Sequence, residues 1–297
     1  MSILHNIIFY FIKKGQTVYV PDNPPDYVQK RLSEEKGVPQ GLPSGIHSKK
    51  VMLDGISGEH LYSEINKSGK HVLYIHGGGF VSGSTKTVRP LTGRLAKELG
   101  MDIYSIHYRL APENSFPAAP QDCYRAYCAL EKKFGGNNII LMGESAGGTL
   151  ALASVLRAKD EKIALPACVV AMAPAVQFDR TFPSYHDNLA TDCMVSNLCR
   201  EVQDIYFQTT DEAVLHDPYG APYYGDFSGF PPVMLIASDS EVLRDDSVCL
   251  QKKIQAAGSI CELHLFHKMM HIFPVIPSLP ESRRAYRLIS TFVEKYT

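Results

Sequence analysis

Ser145 stands in GESAGG, immediately after the apolar run NIILM and before the helix-like run TLALASVLRA. A serine becomes a nucleophile when its hydroxyl stands clear of the backbone and a base can take its proton. The G-x-S-x-G spacing between strand and helix supplies the first condition, because Gly143 and Gly147 leave room at a sharp turn where a side chain would clash. A serine that merely caps the next helix is the plainer alternative, but the strand–turn–helix setting makes it the weaker one. A second stretch, HGGGF at residues 76–80, follows the run HVLYI. Three consecutive glycines have no use in a strand, whereas a glycine loop lets backbone N–H groups approach a developing oxyanion. The amides of Gly78, Gly79 and Ala146 are therefore expected to form an oxyanion hole, with His76 shaping the loop.

A base and an acid should follow Ser145 in the order serine, acid, histidine. His271, in KMMHIFP, comes just after the last expected strand, where a loop could bring it over the serine. His264 falls inside that strand and His267 at its end, which suits structural roles better. The three histidines have no accompanying carboxylate motif and no helical H-E-x-x-H, so a metal is not expected. Four carboxylates compete for the acid's place in SDSEVLRDDS. Asp245 and Asp246 fall in the first turn of the next helix, where negative charge favours the helix dipole. Spacing leaves Asp239 and Glu241 both open.

These residues need a scaffold that aligns loops from distant parts of the chain. From residue 46 onward short apolar runs alternate with helical patterns, which indicates an α/β protein with a mostly parallel sheet flanked by helices. Eight strands are expected: Lys49 to Leu53, Leu61 to Ile65, His71 to His76, Asp102 to His107, Ile139 to Met142, Cys168 to Ala173, Val233 to Ala237 and Glu262 to Phe266. Helices are expected near Val88 to Leu99, Pro117 to Phe134, Ala146 to Ala158, Leu243 to Ala257 and Glu281 to Tyr296. The first 45 residues and the Tyr-, Phe-, Asp- and Pro-rich residues 178–228 break the alternation. They are assigned to a helical cap, leaving 46–177 and 229–297 as the core. The cap aromatics Tyr185, Tyr206, Phe207, Tyr219, Tyr223 and Tyr224 would either line a small pocket or form their own core.

At 297 residues with 45 % hydrophobic content and a net charge of −1, the chain is an ordinary globular protein with no basic excess for nucleic acid. Its seven cysteines are scattered with no C-x-x-C pair, consistent with reduced thiols in the cytoplasm. The start, MSILHNIIFYFIKKG, lacks both a basic lead-in and a small-residue cleavage site. Ile3, Leu4, Ile7, Ile8, Phe11 and Ile12 recur at helical spacing, so an amphipathic helix packed on the protein is expected, without membrane insertion.

Taken together, HGGGF, YRLAPENSFPAAPQD (108–122), GESAGG, FSGFPPVMLIAS and the terminal H-x-F occur in the order found in bacterial hormone-sensitive-lipase-like esterases, which the chain resembles over residues 71–297. The resemblance implies the α/β-hydrolase fold, Ser145 as nucleophile, His271 as base, and Gly78, Gly79 and Ala146 as oxyanion donors. It also implies that YRLAPE braces the loops beneath the site. Where many relatives read D-P-L-x-D, this chain reads Glu241-Val242-Leu243-Arg244-Asp245, which puts glutamate in the acid's place. The implied activity is hydrolysis of short-chain acyl esters, with no cofactor and a small-molecule ester as partner. An amidase or formamidase using the same triad, and a non-catalytic small-molecule receptor, are the alternatives. Edge strands or the final helix would offer surfaces for a homodimer.

Overall fold

The computed structural model describes residues 2–15, 19–64, 66, 68–193 and 198–297. Eight strands form one sheet: β1 (His47–Leu53), β2 (Ile56–Tyr62), β3 (His71–Ile75), β4 (Asp102–Ile106), β5 (Ile139–Glu144), β6 (Cys168–Met172), β7 (Val233–Ser238) and β8 (Cys261–Phe266). Their order across the sheet is β1-β2-β4-β3-β5-β6-β7-β8. The pairs β1–β2 and β2–β4 are antiparallel, and every later pair is parallel. The expected α/β class with a mostly parallel sheet is therefore the observed one.

The second strand differs from expectation. It begins at Ile56 and ends at Tyr62, five residues earlier than expected at its start, and Ile65 lies outside the described residues. The cause is the hairpin turn Asp54-Gly55, whose φ angles of 47° and 83° join β1 directly to β2. A two-residue Asp-Gly turn needs positive φ at both positions, which glycine takes freely and aspartate tolerates.

The central strands are buried on both faces, as their β-branched and apolar composition requires. Leu73 and Ile75 of β3 point into one core, and Val72 and Tyr74 into the other. The first core is closed by α4 (Ala118–Phe134), α5 (Ala146–Asp160) and α9 (Arg244–Ala256). The second is closed by α3 (Arg89–Leu99) and α10 (Pro280–Tyr296). In α10, Pro280 suits the first turn, and Ala285, Tyr286, Ile289, Phe292 and Val293 make one buried stripe. Fully burying each of its larger apolar side chains stabilises the fold by on the order of 2 kcal/mol.

The N-terminal segment carries α1 (Ile3–Gly15) and α2 (Tyr27–Lys36). Between β6 and β7 run the short helices α6 (Ser184–Asp187), α7 (Leu198–Glu201), which continues as a π-helical stretch Val202–Phe207, and α8 (Glu212–Leu215). Helix α1 turns a different side inward from the expected one. Ile3, Leu4, Ile7 and Phe11 are exposed, Ile8 and Ile12 are half-buried, and His5 is fully buried. The apolar stripe itself faces solvent and the packed side centres on His5, with Ile8 and Ile12 at its margin, so the side that packs is not the one the hydrophobic period marks. Among the described residues no helix is long and apolar enough to cross a membrane. Among the described residues Cys123, Cys128, Cys168, Cys249 and Cys261 are free thiols, Cys193 is buried, and the Cys199 side chain lies outside the described residues.

Candidate active site

Strand β5 ends at Glu144 and α5 begins at Ala146, leaving Ser145 alone at the turn with φ 53° and ψ −126°. A non-glycine residue in this region costs on the order of 1–3 kcal/mol and persists only where its surroundings enforce it. Two hydrogen bonds do so here: the Ser145 amide donates to Met172 O at 2.7 Å, and the Ser145 carbonyl accepts from the Thr149 amide at 3.1 Å. The flanking glycines are explained by close approach. A Cβ on Gly147 would lie 2.0 Å from Ile75 O, and one on Gly143 would lie 2.4 Å from the Gly147 carbonyl.

The other expected residues arrive from three carboxyl-terminal strand ends. His271 follows β8, and its Nε2 lies 3.0 Å from Ser145 Oγ. Its Nδ1 is hydrogen-bonded to Glu241 Oε2 on the loop after β7. Ser145, His271 and Glu241 are all buried. Burial disfavours the imidazolium, but the charge of Glu241 and its hydrogen bond outweigh that, so the His271 pKa is raised above 6.5. Glu241 is itself fixed by the Ser238 amide, which donates to Oε1 at 2.6 Å. Asp239, the other carboxylate left open by spacing, turns away: it accepts from His267 Nδ1 and from the Lys268 amide, each at 2.7 Å.

The glycine loop leaves β3 beside the serine turn, since β3 and β5 are parallel neighbours with Ile75 opposite Gly143. Gly78, at φ 111°, folds the loop back so that its carbonyl accepts from Val81 and Ser82 amides at 3.1 and 2.9 Å. A Cβ there would lie 2.3 Å from Ser82 O. Gly78 and Gly79 thus sit on the same end of the sheet as Ala146, which opens α5 with its amide at the positive end of the helix dipole. The His76 ring stacks on Tyr108 at 4.3 Å, and the Tyr108 hydroxyl donates to His76 O at 2.8 Å. Ala111 N–H donates to Phe80 O at 3.0 Å, so YRLAPE touches the glycine loop at both ends. Burial holds the His76 pKa down at about 4, leaving the ring neutral at ordinary pH.

Several residues of the site were not foreseen from sequence. The Glu144 carboxylate, one residue before the serine, accepts from Tyr74 OH at 2.5 Å and from the Gly77 amide at 2.6 Å. Its burial raises its pKa to about 7. The segment after β6 grips the Glu241 loop: Asn188 Nδ2 donates to Glu241 O at 2.8 Å, Thr191 Oγ1 to Ser240 O at 2.8 Å, and Ser184 Oγ to Val242 O at 2.6 Å. Asp192 accepts from the Val242 amide at 2.8 Å. Asp245 and Asp246 do open α9, but they also bond outward. Asp245 takes the Ser184 amide at 2.9 Å, and the buried Asp246 takes the Val176 amide at 2.7 Å. No local sequence pattern marks such long-range acceptors.

The aromatic residues of the 178–228 segment are mostly packed together. Tyr206 stacks on Phe80 with centroids 4.1 Å apart and meets Phe116 and Phe207 edge-on, while Tyr185, Tyr206 and Phe207 are buried. Tyr219 and Tyr224 reach Asp160 and Asp179. Phe80 ties this cluster to the glycine loop.

Residues 72–275 match a family model described as alpha/beta hydrolase fold. An acetyl-hydrolase of Streptomyces hygroscopicus is 31 % identical over 78 % of this chain and 77 % of its own. Among solved structures, the esterase EstE5, soaked with p-nitrophenyl butyrate, superposes with a TM-score of 0.91 at 27 % identity, covering 100 % of this chain and 99 % of that one. A hormone-sensitive lipase from a metagenome library gives a TM-score of 0.89 at 30 % identity, covering 98 % of each chain. The serine turn, the glycine loop and these likenesses agree, and the chain belongs to the hormone-sensitive-lipase-like esterases of the alpha/beta hydrolase fold.

Proposed function

We propose that this serine carboxylester hydrolase cleaves short-chain acyl esters through an acyl-enzyme on Ser145. The observation that carries the reading is the 3.0 Å contact of His271 Nε2 with Ser145 Oγ, with Glu241 on the other ring nitrogen. His271 takes the serine proton as Oγ bonds to the ester carbonyl carbon. The carbonyl oxygen becomes an oxyanion, held by the amides of Gly78, Gly79 and Ala146. As the C–O bond to the alcohol breaks, the imidazolium returns its proton to the leaving alkoxide. A water, deprotonated by His271, then attacks the acyl carbon and releases the carboxylic acid and free Ser145. Glu241 fixes the ring through Nδ1 and stabilises the imidazolium between the two proton transfers. Glu144 holds the Gly77 amide and with it the glycine loop.

Residues 1–45 and 178–228 act as a cap over the core formed by 46–177 and 229–297, with the Phe80–Tyr206 stack as one junction between them. The preference for short acyl chains is supported by the acetyl-hydrolase relative and by the neighbour soaked with p-nitrophenyl butyrate. The free thiols of Cys123, Cys128, Cys168, Cys249 and Cys261 suit the cytoplasm. Two copies associate through the open edge of β8, where Ile260 and Leu265 are exposed; light scattering at two concentrations tests this. Hydrolysis by the purified chain of p-nitrophenyl esters from acetyl to palmitoyl, beside the matching anilides, tests the substrate class. Turnover should peak at two to four acyl carbons and fall to background in Ser145→Ala. Anilides cleaved faster than esters, or activity kept in Ser145→Ala, would refute it.

A further inference from the structure

The loop that carries His271 is held by a residue from the far end of the chain. His5, in α1, is fully buried, and its Nε2 accepts the Met270 amide proton at 3.0 Å across 265 residues of sequence. The start of α1 is tied down beside it: the Ser2 amide and hydroxyl donate to the two carboxylate oxygens of Glu281, at 2.6 and 2.9 Å, where α10 begins. On the other side of the loop, Met269 O accepts from Ser238 Oγ at 2.6 Å and from Ser240 Oγ at 3.2 Å. The Met269–Met270 peptide unit, one residue before His271, is thus gripped at both ends, its carbonyl by Ser238 and Ser240 of the Glu241 loop and its N–H by His5 of α1. Much of the apolar surface of α1 faces solvent, so this polar contact is not incidental to a large buried interface.

We propose that His5 is a positioning residue for the reaction, and that α1 works as a strap which sets the imidazole of His271 between Glu241 and Ser145. The inference rests on His271 being the base. His5 makes no contact with Ser145, so it acts through the backbone of the His271 loop. Its burial lowers its pKa and keeps the ring neutral, the form in which Nε2 can accept when the proton sits on Nδ1. Without the acceptor, the Met270 amide is left unsatisfied and the loop loses its fixed register over the serine; displacements of about 1 Å can cost up to about 100-fold in rate.

The test compares His5→Ala, His5→Gln and His5→Asn in the full chain. Glutamine can put a carbonyl oxygen where Nε2 stood, whereas asparagine is one bond too short. His5→Ala and His5→Asn should lower kcat roughly 10-fold with KM nearly unchanged, and His5→Gln should recover most of the loss. Amide hydrogen exchange of the peptide containing Met270 should quicken in the alanine and asparagine variants and not in the glutamine variant, a readout that does not depend on turnover. Wild-type kcat in His5→Ala, glutamine no better than asparagine, or unchanged exchange at Met270 would overturn the proposal. His271→Ala, run alongside, separates the two levels: full activity there would remove His271 as the base, while an inactive His271→Ala beside an unaffected His5→Ala would sink only the strap.

Discussion

Two histidine–carboxylate pairs lie within a few residues of each other on the same two loops. Glu241 and His271 have side chains 1 % and 2 % exposed and meet Ser145, whereas Asp239 and His267 are 37 % and 73 % exposed and meet no serine hydroxyl. The residue types and hydrogen-bonding atoms are nearly the same, so the pair alone does not make a site. In water a bare ion pair contributes little, because solvent competes for both partners and screens their charge. Buried, the Glu241 charge is felt strongly enough to raise the pKa of a ring that burial alone would depress. The exposed pair instead holds the end of β8, through the Lys268 amide as well as His267.

The sharpest way to break this comparison is to remove one carboxylate from each pair. Glu241→Ala should reduce kcat about 10⁴-fold, as loss of a triad acid does elsewhere, while Asp239→Ala should stay within about 3-fold. The reverse ranking, read from steady-state kinetics, would exchange their roles. A third carboxylate, buried as Glu241 is, extends the comparison: Glu144→Ala frees the Gly77 amide and should cost roughly 10 to 100-fold in kcat, with Tyr74→Phe costing less. Equal losses in the two variants would place the effect on Tyr74 alone.

The pH profile sharpens the electrostatic half. In the proposed mechanism His271 acts as base only when neutral, and its pKa is raised, so the acid limb of kcat/KM should fall at a pH above 6.5. In Glu241→Gln the group that raises it is gone and burial remains, so the limb should move to lower pH; an unmoved limb would deny the coupling. The smallest effect expected on activity concerns Asp246, whose pKa burial raises from 3.8 to about 8. A raised carboxyl pKa means the folded form binds the proton more tightly, so its contribution to stability is present below pH 3.8 and lost as pH climbs toward 8. Asp246→Asn should therefore gain stability relative to wild type between pH 5 and 8, by about 1–3 kcal/mol in urea unfolding. A difference that does not grow with pH would mean the carboxyl is already charged.

Much of this was legible in the residues, and the parts that were not have physical reasons. Ser145, His271 and the strand ends that carry them are marked by local patterns: a glycine-flanked turn, a strand of β-branched residues, a histidine just beyond the last strand. The choice between Asp239 and Glu241 was open to spacing because both lie on one loop; the family's D-P-L-x-D pattern favoured Glu241, and the loop's fold turns only that side chain toward His271. β2 starts earlier than its apolar run suggests because the Asp54-Gly55 turn, a hairpin signal, joins it directly to β1. The inward side of α1 is not readable because it centres on a polar residue, His5, held by a hydrogen bond from Met270 at the far end of the chain, while the apolar stripe faces solvent. Asn188, Thr191 and Asp192 reach the Glu241 loop across some fifty residues, and no periodicity encodes a contact of that kind.

The most direct measurement is mass spectrometry of the chain quenched milliseconds after mixing with p-nitrophenyl acetate. An acetyl group on Ser145, at close to one per chain and missing from His271→Ala over the same interval, is the expected result. Rapid ester turnover with the acetyl group on another residue, or equally fast acetylation of Ser145 without His271, would contradict the account.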